Sequence, residues 1–177
     1  MGLKMRAARK AGIALATLFL ATACIRRGAE PDAAERAAIA AEVEAALRDA
    51  YDLSKPGVLD RMLALYPRSG RVVSAVSGGV LTSRDSIEGG IRYFWNNVGV
   101  NMREPRWEWG RFYIDVLSSA SAAVTATYRI PHRNPRNEPH VLGGAMTVVL
   151  SKRDGRWVIV QEHLSDLPQG EQPAAHD

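Results

Sequence analysis

Apolar residues spaced three and four apart mark the start of the foldable part of the chain. Ile39, Val43, Leu47, Ala50 and Tyr51 recur through an Ala- and Glu-rich stretch and predict one amphipathic helix over residues 34–52. Ser54-Lys55-Pro56-Gly57 breaks that pattern. A shorter helix follows with Leu59, Met62, Leu63 and Tyr66 on one face, closed by Pro67 and Ser69-Gly70. Two helices joined by so short a turn are expected to pack on each other. Residues 72–76 predict a short strand, Ser77-Gly78-Gly79 a tight turn and Val80-Leu81 the start of a return strand. Thr82-Ser83-Arg84-Asp85 then has capping-box spacing, and Ile87, Ile91, Phe94, Trp95 and Val98 trace a helical stripe, so a third helix is expected over residues 83–97. Gly89-Gly90 inside it would cost up to ~1 kcal/mol per residue relative to alanine, which points to close approach of another backbone.

From Arg103 the period changes to two. Trp107, Trp109, Arg111, Tyr113 and Asp115 are expected on one face of a long strand, with Glu108, Phe112, Ile114 and Val116 on or flanking the other. After Ser118-Ser119-Ala120-Ser121, a second long strand over residues 122–132 alternates Val124, Ala126, Tyr128 and Ile130 against Thr125, Thr127 and Arg129. A polar loop over 133–139 leads to a third strand, 140–152, in which Gly143-Gly144 marks a bulge or strong bend. Arg153-Asp154-Gly155 is a hairpin turn into a fourth strand, 156–165. Helices first and a meander last indicate an α+β fold with three N-terminal helices on one face of a bent, mainly antiparallel sheet.

The segment before the first helix reads as an address. Residues 1–10 are basic, residues 11–23 are uncharged and mostly apolar, and Cys24 follows. This is a secretory layout, too short for an ordinary spanning helix. Leu20-Ala21-Thr22-Ala23-Cys24 resembles the lipobox of bacterial lipoproteins, with Ala21 where that motif prefers leucine. Two outcomes stand open: lipidation of Cys24, or ordinary cleavage after Ala21-Thr22-Ala23. The expected organisation is a signal peptide over 1–23, a tether over 24–33, a domain over 34–168 and a disordered tail over 169–177. Acyl chains on Cys24 would anchor the protein stably at the cell envelope, exported across the inner membrane.

Composition sharpens this outline. The chain has 177 residues, 46% hydrophobic and 24% charged, which excludes a disordered or fibrous protein. The formal charge of +4 is supplied entirely by Lys4, Arg6, Arg9 and Lys10, so the domain is electrically balanced and no nucleic-acid partner is expected. Cys24 is the single cysteine, which excludes disulfides and Cys-ligated metal sites.

The element order, with Arg153-Asp154-Gly155-Arg156-Trp157-Val158-Ile159 leading into Gln161-Glu162-His163-Leu164-Ser165, resembles the nuclear transport factor 2-like superfamily in its SnoaL-like branch. The resemblance implies a cone-shaped half-barrel with an apolar cavity open at one end and a homodimer contact on the sheet's outer face. Relatives include isomerases, cyclases, dehydratases, transport adaptors and oligomerisation modules, so the fold alone assigns no activity.

Candidate chemistry has to come from the cavity. Ketosteroid-isomerase-like members carry a carboxylate base on the strand after helix two and a neutral acid on the next-to-last long strand. Arg71-Val72-Val73-Ser74-Ala75 and Gly144-Ala145-Met146-Thr147-Val148 hold no carboxylate. Tyr51 lies near the position of that family's helix-one tyrosine, and its spacing fits a helix packing face equally well. Glu162 and His163 are adjacent on a strand and must face opposite ways. If Trp157, Ile159, Gln161 and His163 point inward, His163 is a candidate base with Gln161 beside it; otherwise it is a histidine tied to backbone or Ser165. Arg129 occupies a position resembling a cavity arginine of kinase-association relatives and would take a carboxylate, or it faces outward and pairs with Glu108 or Asp115. Trp95 and Tyr113 complete the candidate ligand contacts, and Trp109 with Tyr113 around Arg111 could instead form a patch for a partner subunit. His132, His140, His163 and His176 include no helical i, i+4 pair, although His132 and His140 could approach across a hairpin. No metal or cofactor is expected. These features predict an envelope-anchored protein that binds a small apolar or weakly anionic molecule, pairs with itself, or both. The alternatives are an isomerase, cyclase or hydratase using His163, and a structural module of an envelope complex.

Overall fold

The computed structural model describes residues 30–167. The segments expected to be a signal peptide, most of the tether with Cys24, and the tail lie outside the described residues. Helix α1, Ala33–Ala50, starts at a reciprocal capping box in which Asp32 accepts from the Glu35 N–H and Glu35 from the Asp32 N–H. It buries Ile39, Val43, Leu47 and Ala50, the stripe expected from the sequence. Helix α2, Val58–Ala64, begins after Gly57, whose φ of 72° needs a residue without Cβ strain. Strands β1, Val73–Val76, and β2, Gly79–Leu81, form a hairpin through Ser77 and Gly78, both at positive φ. Helix α3, Arg84–Asn97, is capped by Ser83 with Ser86. Strands β3, Glu108–Ser118, β4, Ser121–Arg133, β5, Pro139–Arg153, and β6, Arg156–Asp166, follow as a meander.

All the strands join one sheet in the order β2-β1-β6-β5-β4-β3, with β1 parallel to β6 and every other pair antiparallel. The helices cover its concave face. Val43, Leu47, Val72 and Ile87 meet Val124, Met146, Val148, Leu150 and Ile159 there, and all are essentially sealed from solvent. On β4 the expected alternation holds: Ala122, Val124, Ala126 and Ile130 are buried and Arg129 faces out.

Two register shifts change the face assignment on other strands. Trp109 pairs with Tyr128 but Phe112 with Ala126, so β3 spends three residues where β4 spends two. The extra residue at Gly110-Arg111 reverses the alternation. Trp107 and Trp109 therefore share the inner face with Phe112, Ile114 and Val116, while Tyr113 and Asp115 turn outward, correcting the single-face reading of this strand. On β6, Ile159 pairs with Leu150 and Glu162 with Val148, again three steps against two. The extra residue is Val160. Trp157 and Ile159 point inward as expected, but beyond the bulge the inward residues are Glu162 and Leu164; Gln161 and His163 are exposed on the outer face.

The paired glycines also differ from expectation. A methyl group on Gly89 would meet nothing within 4 Å, and one on Gly90 would reach Leu81 Cδ1 at 3.6 Å, so neither marks a backbone contact. Gly143 and Gly144 lie in unbroken β4–β5 register rather than at a bulge, yet a Cβ there would overlap the Tyr128 and Ser165 carbonyls. These are the positions where the curling sheet brings backbones together.

Gly144→Ala should therefore destabilise the fold by ~3 kcal/mol through backbone overlap. Gly89→Ala, in open space on a helix, should stabilise it by up to ~1 kcal/mol. Chemical denaturation of the two variants checks both signs; equal effects would contradict the difference in crowding.

Candidate functional site

The concave face does not close completely. A cavity of about 470 Å³ remains between α2, α3, the β1–β2 hairpin and the inner faces of β4, β5 and β6. Its wall is mostly apolar and aromatic: Met62, Ile87, Ile91, Phe94, Trp95, Trp107, Tyr128, Ile130 and Leu164. Gly90 lines it too, where a side chain on α3 would narrow it. Such a wall suits a small, largely apolar guest.

One carboxyl group stands in this wall with almost no contact with water. Glu162 is 4% exposed. Its position follows from β6: the bulge turns it inward, and the parallel pairing of β1 with β6 sets Ser74 directly beside it. Tyr66 donates to Glu162 Oε2 at 2.8 Å, and the buried Ser74 hydroxyl also hydrogen-bonds the carboxylate. Tyr66 is itself held at the exit of α2. The Ile159 N–H bonds the Leu65 carbonyl at 2.7 Å, and Arg84 at the start of α3 bonds the Tyr66 carbonyl at 2.6 Å.

A second phenol extends the network, since Tyr51 hydrogen-bonds Tyr66. The aromatic rings are packed edge to face and stacked around it: Tyr51 lies 4.4 Å from Trp107 and 5.3 Å from Trp109, and Trp107 stacks on Tyr128 at 4.8 Å. Trp107 Nε1 is buried without a hydrogen-bond partner among the described residues. Trp95 spends its indole N–H on Met62 Sδ at 3.1 Å.

Burial dominates the electrostatics. It pushes the Glu162 carboxyl above the ordinary glutamate range, with hydrogen bonds from Ser74 and Tyr66 opposing only part of that effect. Burial likewise drives Tyr51 and Tyr66 far above the ordinary phenol range, helped by the Glu162 charge. Tyr128 is pushed up to about 12 by burial, then by the charges of Asp166 and Glu162. The phenols thus remain neutral donors. Asp166 also lines the cavity, and among the described residues no Lys, Arg or His does. The site can offer a carboxyl group as proton acceptor or donor inside an apolar chamber, and its described lining carries negative rather than positive side chains.

The residues expected from sequence divide accordingly. Trp95 lines the cavity. Tyr113 is 58% exposed, with the Arg111 guanidinium 5.2 Å from its ring centre, while Trp109 packs inward, so the two do not form one patch. Arg129 is on the exposed face, opposite Glu108 in register, as in its outward reading. Gln161 and His163 are outside the cavity, with His163 between Ala75 and Thr147 on neighbouring strands. Sequence reasoning set Glu162 opposite His163 without giving it a role, and did not single out Tyr66 or Ser74 as site residues. Alternation within Ser74-Glu162 neighbours could not reveal them, because the parallel pairing and the bulge are both non-local.

Comparison with known proteins fits this architecture. The SnoaL-like domain family matches residues 43–169. No curated protein is a significant match. The provisionally named scytalone dehydratase of Novosphingobium aromaticivorans superposes with a TM-score of 0.61 at 19% identity, covering 76% of this chain and 87% of its own. The hexachlorocyclohexane dehydrochlorinase LinA-type3 of Novosphingobium barchaimii gives 0.55 at 14% identity, covering 78% and 96%. A nuclear transport factor 2-like protein of unknown function from Shewanella oneidensis gives 0.55 at 21% identity, covering 72% and 99%. At these identities the likeness is one of fold. With its three helices against a curved six-stranded sheet and a family match over more than half its length, the chain belongs to the SnoaL-like domain family of the nuclear transport factor 2-like fold.

Proposed function

We propose that this protein is an envelope-anchored, extracytoplasmic acid–base catalyst that takes a small, uncharged, largely apolar molecule into its cavity and moves a proton on it through Glu162. The observation that carries this reading is the carboxyl group at 4% exposure in the wall of an apolar cavity, its ionisation made costly by burial. A carboxyl group with a raised pKa is a stronger base when ionised and stays available as an acid at higher pH. In the forward step the Glu162 carboxylate accepts a proton from a carbon next to a carbonyl, and the electron pair moves onto the carbonyl oxygen. Returning the proton elsewhere completes an isomerisation; loss of a leaving group from the neighbouring carbon completes an elimination. The unsatisfied Trp107 indole N–H is a donor that an oxygen on the guest would relieve.

In this reading Glu162 rather than His163 carries the chemistry, and a lining that includes Glu162 and Asp166 supports an uncharged guest over a weakly anionic one. Two relatives of this fold bear names of elimination enzymes, a scytalone dehydratase and a dehydrochlorinase, which agrees with the reaction class without fixing the substrate. Anchoring rests on the Leu20-Ala21-Thr22-Ala23-Cys24 pattern. Self-association would use the outer sheet face, where Tyr113 and Leu117 are 58% and 59% exposed.

Exchange of the protons next to the carbonyl of 2-tetralone for deuterium in D₂O, followed by NMR, tests the chemistry without knowledge of the natural substrate. The protein should accelerate it, Glu162→Gln should lose at least ~10²-fold of that acceleration, and His163→Ala should retain it. Equal rates with Glu162→Gln would overturn the assignment. The neutral naphthalene ketone prodan should bind in the cavity, and the anionic 1-anilinonaphthalene-8-sulfonate should bind at least tenfold more weakly in a fluorescence titration.

Stability carries the same signature. Because the folded pKa of Glu162 is raised, its contribution is fully present below the ordinary glutamate range and is lost as pH rises through the raised value. Glu162→Gln should therefore gain in melting temperature relative to wild type between acidic and mildly alkaline pH; a gap independent of pH would count against a costly ionisation. For the anchor, Cys24→Ser should move the protein from the membrane to the soluble fraction of a bacterial host, and an unchanged distribution would remove lipidation from the picture.

A further inference from the structure

Outside the cavity, the loop end of the β4–β5 hairpin brings two imidazoles together. His132 and His140 are directly opposed in the antiparallel register, so both side chains rise from the same face. His140 Nδ1 lies 3.2 Å from His132 Nε2, and both residues are half-buried. They border a depression of about 450 Å³ shared with Asn97, Asn101, Met102 and Asn134.

The tautomer of His132 is fixed by its other nitrogen. Nδ1 stands 2.8 Å from the Ile130 carbonyl oxygen, which can only accept, so Nδ1 carries the proton and Nε2 presents a lone pair. A backbone carbonyl behind the ring is the arrangement that orients metal-ligating histidines. Two imidazole nitrogens bound about 2.0–2.1 Å from one cation stand roughly 2.9–3.4 Å apart, and the pair already has that separation.

We propose that His132 and His140 form a chelating site for a late first-row divalent cation, taking Cu²⁺ ahead of Ni²⁺ or Zn²⁺. Among the described residues no group of three His, Cys, Asp or Glu side chains surrounds such a centre. The two imidazoles therefore act as the protein ligands, and water or the neighbouring asparagine amides fill the remaining positions. Imidazole donors with open positions favour Cu²⁺ in the order of divalent affinities. In the metal-free pair His140 Nδ1–H donates to His132 Nε2. On binding, that proton moves to His140 Nε2 and the cation takes its place between the two nitrogens, with no net proton release. Burial, and then the neighbouring His132, lowers the pKa of His140 and so favours its neutral ring.

The test is a Cu²⁺ titration of the chelator-stripped full chain by calorimetry, with electron paramagnetic resonance on the loaded sample. One equivalent should bind, with hyperfine splitting from two imidazole nitrogens, and His163→Ala should behave as wild type. His132→Ala and His140→Ala should each weaken binding at least tenfold; His132→Asn and His140→Asn serve if an alanine variant fails to fold. No binding by wild type, binding that survives both substitutions, or a spectrum without imidazole nitrogen would overturn the site. Tighter binding of Zn²⁺ than of Cu²⁺ would overturn the metal preference.

Discussion

The site depends on one extra residue in β6. With Val160 bulged out, the strand that buries Trp157 and Ile159 against the helices buries Glu162 two pairs later instead of His163. The Ile159 N–H beside the bulge is taken up by the Leu65 carbonyl, so the same irregularity fastens the end of α2 to the sheet. Tyr66, the next residue, is thereby placed where its hydroxyl meets the Glu162 carboxylate. A backbone hydrogen bond and a change of strand parity together create the polar spot in an otherwise apolar chamber.

That spot stores a cost that the surrounding fold has to offset. Burying a carboxylate without a cation is unfavourable, and Ser74 and Tyr66 supply hydrogen bonds rather than charge. Charge-assisted hydrogen bonds of this kind soften the penalty without removing it. The result is a carboxyl group held above the ordinary glutamate range, as the proposed proton transfer requires. A salt bridge in its place would have held the carboxylate ionised and inert. The aromatic shell of Tyr51, Trp107, Trp109 and Tyr128 keeps the chamber apolar, and its rings are the large side chains for which the sequence offered no burial information.

Much of the fold was legible because it is written in local periodicity. The α1 stripe, the turns at Ser77-Gly78 and Asp154-Gly155, and the β4 alternation all follow from neighbours within a few residues, whereas the α3 cap falls on Ser83 with Ser86, one residue later than the Thr82–Asp85 spacing. Strand faces on β3 and β6 were not legible past Gly110-Arg111 and Val160, because a bulge is a relation to the partner strand. Each one inverted every assignment after it, which exchanged Glu162 for His163 and sent Tyr113 to the outer face. Ser74 became a site residue through a parallel pairing with β6 across most of the domain's length. The approach of His132 to His140, by contrast, was visible as two histidines bracketing one short hairpin loop, and the register brings them face to face.

The ionisation of Glu162 ties these strands of reasoning together, and it can be observed directly. Site-resolved carbon NMR of the Glu162 carboxyl, assigned by comparison with Glu162→Gln, would follow its titration beside those of the exposed glutamates. It should titrate above them, as burial in the cavity wall requires. Titration at or below the ordinary glutamate range would mean that the carboxyl is solvated or paired with a cation, and that the cavity holds no poised acid or base.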